Sequence, residues 1–190
     1  QATAQSTYDD IWKFAEWYRN DQNKTVQSVL FSGRFQYEFA AVNADQGTFN
    51  DWNVRRMRLG VKSEFFHQLT VHVEAGFDPD SGGDFYKRLT DTYVEWQASD
   101  AFALKVGKQG VAFTTDGSTS SKELLTIDRS NLANNMWFPD EYIPGVSAAG
   151  GRSNWVYHLG LYTGGRDNGE FGDFHGSAFG LVSLGCNFSV

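Results

Sequence analysis

Five basic residues, Arg34, Arg56, Arg58, Lys62 and Lys105, fall where an extended chain would set them on one polar side. Guanidinium groups offer forked donors that match phosphate or carboxylate oxygens, and an ammonium acts as a compact point charge. A row of such groups can hand an anion along, provided each site is weak and the next is near. Arg56 and Arg58 are two residues apart, about 7 Å along a strand, a workable step for such a row. Five carboxylates share the same side: Glu38, Glu64, Glu74, Asp91 and Glu95. The face therefore reads either as an anion pathway or as a hydrated, charge-balanced wall. Catalytic and metal chemistry finds less to build on. His67, His72, His158 and His175 lack metal-binding spacing, and no GxSxG, Cys/His pair or P-loop appears. The sequence shows no catalytic constellation, so an enzyme is the least supported class, and no cofactor is implied. The acidic stretches DPDSGGD (78–84) and RDNGEFGD (166–173) offer oxygens to Ca²⁺, but neither has full EF-hand spacing. Solvated loops are the better reading.

The elements that must carry these side chains are strands. Residues 55–66 read RRMRLGVKSEFF: Met57, Leu59, Val61 and Phe65 alternate with Arg56, Arg58, Lys62 and Glu64. Residues 29–42 set Phe31, Phe35, Tyr37 and Phe39 against Ser32, Arg34, Gln36 and Glu38. The same period of two recurs at 53–66, 68–78, 89–98, 101–109, 154–163 and 176–190, and more weakly at 143–150, making eight strands in all. Each has one apolar and one charged face. In a soluble protein the apolar face meets a core. In a membrane barrel it meets lipid, and the charges line a water-filled interior.

The connections predict the topology. They alternate long (43–52), tight (near 67), long (79–88), tight (99–100), very long (110–142), tight (151–153) and long (164–175). An antiparallel up-and-down sheet gives this when one rim carries turns and the other loops. Before the strands, Ile11, Phe14, Ala15 and Tyr18 fall at helical spacing behind Asp9 and Asp10, predicting a short amphipathic helix within 7–23. The chain thus divides into a helix and linker (1–25) and a strand region (26–190) with a long loop (110–142) that carries Lys122 and Arg129.

Composition agrees. Among 190 residues, 16% are aromatic, 20 are Gly and 3 are Pro, which suits strands and turns. No run approaches the roughly 18 apolar residues of a spanning helix. A net charge of −7 argues against a nucleic-acid partner, and the single Cys186 excludes an intrachain disulfide. Trp52, Trp96, Trp155 and Tyr157 lie near strand ends, where interfacial aromatics gather.

Three stretches carry a family resemblance: RRMRLGVKSEFF (55–66), DTYVEWQASDAFALKVGKQGVAF (91–113) and, less tightly, SKELLTIDRSNLAN (121–134). The chain resembles the phosphate-selective porin O and P family. That resemblance implies a transmembrane β-barrel porin of the bacterial outer membrane. It implies a homotrimer in outer-membrane lipid, each barrel of roughly sixteen strands, of which this chain would supply an N-terminal eight. An eight-stranded barrel is filled by side chains and leaves little room for a charged lining and a 33-residue loop. The expected function is passive diffusion of small hydrophilic solutes, with a preference for anions such as phosphate. Arg34, Arg56, Arg58, Lys62, Lys105, Lys122 and Arg129 would mark the anion path. The alternatives are a small non-conducting structural barrel and a soluble ligand-binding barrel.

Overall fold

The computed structural model describes residues 13–80, 82–111, 113, 142–163, 170–171 and 178–186. A 3₁₀ turn, Lys13–Ala15, leads into β1 (Glu16–Arg19), β2 (Val26–Ala44), β3 (Gly47–Phe65), β4 (Leu69–Phe77) and β5 (Tyr86–Ser99). Then come β6 (Phe102–Gly110), β7 (Tyr142–Arg152), β8 (Trp155–Thr163) and β9 (Ala178–Cys186). The strands follow one another in chain order in one nine-stranded sheet. The chain falls into two compact units, Gln1–His67 with His72–Leu89, and Gln68–Val71 with Thr90–Val190.

All eight expected strands are present as β2 to β9. Two expectations change. The first concerns the N-terminal helix. Of the segment 7–23, residues 7–12 lie outside the described residues, and the remainder holds a single 3₁₀ turn and a strand. Glu16, Tyr18 and Arg19 pair with Leu30, Val29 and Ser28, and the Trp17 ring meets Phe31 edge-on at 3.9 Å between centroids. A helix this short is marginal by itself. Strand pairing satisfies backbone groups along β2, and Trp and Tyr suit a pleated surface.

The second change is the first connection. Residues 43–52 form no long loop: β2 and β3 are 19-residue strands joined by a two-residue turn at Asp45 and Gln46. Gly47 follows at φ 136°, a backbone conformation open to a residue without Cβ. Trp52 packs on Phe39 (4.4 Å) and Tyr37 (5.5 Å), and such cross-strand aromatic contacts hold register where the polar composition suggests a loop. From β3 onward the short turns fall as expected, at 66–68, 100–101 and 153–154.

A closed barrel is not seen among the described residues: the sheet is open, with β1 and β9 at opposite ends of its order. Closure ties strand number to tilt and stagger, and a wide interior needs more strands than a filled one.

Candidate functional site

Polarity in these strands is inverted relative to a water-soluble domain. Among the described residues the buried hydrophobic side chains are Val111 and Tyr162, whereas Gln27, Arg58, His72, Glu74, Thr90, Lys108, Gln109, Ser147 and Thr163 are buried. The exposed side chains include Phe35 (64%), Leu59 (56%), Leu161 (61%) and Val182 (77%). Burying one such side chain is worth about 1.5–3 kcal/mol, so a whole face of them is not left in water.

In the first unit the polar face is built by β2, β3 and β4. Register sets Arg34 directly opposite Arg58, Gln36 opposite Arg56, Ser32 opposite Gly60 and Leu30 opposite Lys62. Arg56 Nη1 donates to Gln36 Oε1 at 2.9 Å, which orients its guanidinium along the face. Arg58 is only 7% exposed, whereas Lys62 is exposed. Of the residues expected to carry anions, the structure thus gathers Arg34, Arg56 and Arg58, with Lys62 further along β3.

A β-bulge adds a fourth guanidinium. The register shifts between Gln36 and Tyr37, whose partners are Arg56 and Val54, leaving Arg55 as the extra residue. Arg55 Nη1 then donates to Glu38 Oε2 at 2.8 Å. Simple alternation assigns Arg55 to the apolar face with Met57 and Leu59. A bulge re-aims one side chain, and beyond it the strand's parity is reversed. The sequence signal was the charge itself, since an Arg between apolar positions would be costly against lipid.

Gly60 makes a further contact possible. Ser32 Oγ lies 3.0 Å from His72 Nε2, so the bond runs from β2 to β4 past β3. A Cβ on Gly60 would fall 2.6 Å from Ser32 Oγ and 2.8 Å from Glu74 Cα. His72 and Glu74 are both buried on this polar side, as the alternation of β4 predicts.

The second unit has its own polar face. Lys105 Nζ is 2.9 Å from Glu95 Oε2 and 4.4 Å from the centre of the Tyr93 ring. The ammonium is held by a carboxylate and a cation–π contact together. Gly107, at φ 131°, lies opposite Tyr93, where a Cβ would come 2.7 Å from Tyr93 Cα. Ser147 Oγ donates to Gln109 Oε1 at 2.6 Å. Lys108 has the parity of Val106 yet is 5% exposed, with Nζ 2.9 Å from Glu170 Oε2. It sits near the end of β6, where a long stem can carry its charge past an apolar surface.

The sequence profile of the phosphate-selective porin O and P family matches residues 29–178. The chain belongs to this porin family. Membership implies an outer-membrane porin of β-barrel architecture, from a family that is typically non-enzymatic. No curated protein matches the porin chain. Its two outstanding pathway candidates, Lys122 and Arg129, lie outside the described residues, as does the loop that holds them except at its ends. Asp78 and Asp80 of the first acidic stretch are engaged, with Lys87 Nζ at 3.3 Å and with the Val54 N–H. The second acidic stretch is described only at Glu170 and Phe171. Among the described residues no three His, Cys, Asp or Glu side chains converge on a metal position.

Proposed function

We propose that this porin forms part of the wall of a water-filled channel through which small hydrophilic solutes diffuse, with a preference for anions. One observation carries the reading: the polar face is the buried face and the apolar face is the exposed one. Lipid covers the apolar face, and water and solute occupy the other side. An open sheet edge leaves N–H and C=O groups unsatisfied in hydrocarbon, so in the membrane further strands complete the barrel. A barrel of about sixteen strands leaves an aqueous channel. Outer-membrane lipid and two further copies of the chain are its proposed partners.

Within the channel, Arg34, Arg56 and Arg58, joined by Arg55 and flanked by Lys62, form the anion path on the first unit. Lys105 serves on the second, and Lys122 and Arg129 on the long loop. Several weak guanidinium sites suit conduction, since a solute must leave each site as readily as it enters. Phosphate, named in the family's description, is the anion to test first. Planar-bilayer recording under a salt gradient provides the test. Stepwise conductance is expected, and Arg56→Glu with Arg58→Glu should lower the anion/cation permeability ratio. An unchanged reversal potential would remove those two residues from the current path. Absence of conductance would favour a structural barrel.

A further inference from the structure

The β2–β3 hairpin outgrows a membrane. A transmembrane strand needs about 9–11 residues, and each of these strands has 19. Three observations locate the point where lipid ends. The first is composition along one face. Its register pairs are Phe35 with Met57, Gly33 with Leu59 and Phe31 with Val61, then Tyr37 with Val54 and Phe39 with Trp52. Beyond Phe39 and Trp52 the same face carries Ala41 with Asn50 and Asn43 with Thr48, while Val42 and Phe49 pair on the other face. The apolar face thus ends at the aromatic cluster, while the opposite face still carries Asp51, paired with Ala40.

The second observation is burial. Up to Glu38 the polar side of β2 is at least partly covered, but from Phe39 to Ala44 and from Gly47 to Asn53 every residue is exposed. The tip rests on nothing described. The third is a carboxylate: Asp80 Oδ2 accepts the N–H of Val54, two register positions below the Phe39–Trp52 pair. A carboxyl group there belongs in the headgroup region or water, not in hydrocarbon. Length agrees as well. From Val29 to Phe39 the strand runs about 33 Å, or roughly 25 Å along the membrane normal at a 40° tilt, the height of an outer-membrane apolar band.

From these we infer that Tyr37, Phe39 and Trp52 sit at the lipid headgroup level and that residues 40–51 stand in water beyond it as a two-stranded ribbon. The inference rests on the membrane reading above and adds the position of the boundary. Tyr and Trp are suited to that level because one end of each ring system is apolar and the other can hydrogen-bond.

Nitroxide labelling tests it in the chain reconstituted in phosphatidylcholine vesicles. Cys186→Ser provides the background for four single variants: Phe35→Cys, Leu59→Cys, Ala41→Cys and Asn50→Cys. All four native side chains point along the same face of the hairpin, and each arm has two positions, so one poorly folding variant does not decide the result. Collisions with oxygen should dominate at 35 and 59, and collisions with a water-soluble nickel chelate at 41 and 50. The logarithm of the accessibility ratio therefore changes sign between the pairs. Oxygen dominance at all four would overturn the boundary and keep the membrane reading. Nickel dominance at all four would overturn the membrane reading itself. Exclusion of both agents at 41 and 50 would place the tip in a protein contact and overturn its solvation.

Discussion

Arg55 is the residue whose role depends most on a local irregularity. The bulge in β3 brings it to the polar face, where it meets Glu38. Two unit charges 4 Å apart interact by about 1 kcal/mol in water, so a single charge change on the face shifts local ion partition roughly fivefold. Arg55→Ala should therefore lower the anion/cation permeability ratio, and Glu38→Gln should raise it, both read from the reversal potential. Changes in the same direction for both variants would mean that the pair acts through structure rather than charge. Arg34 and Arg58 face each other across the same ladder. Like charges in that position are ordinarily unfavourable. Both guanidiniums lie on the face that is proposed to meet solute.

Among the elements, β3 depends on a residue with no side chain. Gly60 leaves the space through which Ser32 reaches His72, and three strands meet there. Gly60→Val would push a branched side chain into backbone as well as into Ser32 Oγ. Overpacking of this kind costs about 1–3 kcal/mol. The expected outcome is a lower unfolding temperature in detergent, with Ser32→Ala less affected because it removes one hydrogen bond without a clash. Equal stability of Gly60→Val and the parent chain would show that β4 can move away freely. The long β2–β3 hairpin shows a different dependence. Its turn is only two residues, and the alternation of aromatic residues on either side, Phe39 against Trp52, sets the register that makes it possible.

At the scale of the whole molecule, the decisive property is which face meets lipid. Leu59 is exposed on the apolar face and Gln36 lies on the polar one. An arginine on the lipid side at mid-membrane depth costs about 2–4 kcal/mol, whereas a lysine on the lumen side costs little. Leu59→Arg should thus fold poorly into vesicles and Gln36→Lys should fold normally, as judged by the heat-modifiable mobility typical of barrels on gels. If both fold alike, the faces are not distinguished by lipid. The alternation behind this prediction was legible in the residues. Eight strands and their faces follow from a period of two, because side-chain direction in a strand is set by neighbours in sequence. That Arg34, Arg56 and Arg58 share the polar face follows from the same rule, whereas the placing of Arg34 opposite Arg58 was set by cross-strand register. The helix expected before β1 failed because periodicity over a few residues says nothing about a neighbouring strand edge that offers hydrogen bonds. The loop expected at 43–52 failed because Asn, Asp and Gly mark a turn without marking its length. Arg55, the Ser32–His72 bond past Gly60 and the ion pair of Lys108 with Glu170 were decided only by the tertiary structure. Each depends on cross-strand register or on contact between residues far apart in the chain, and neither is contained in the local pattern that determines a strand and its two faces.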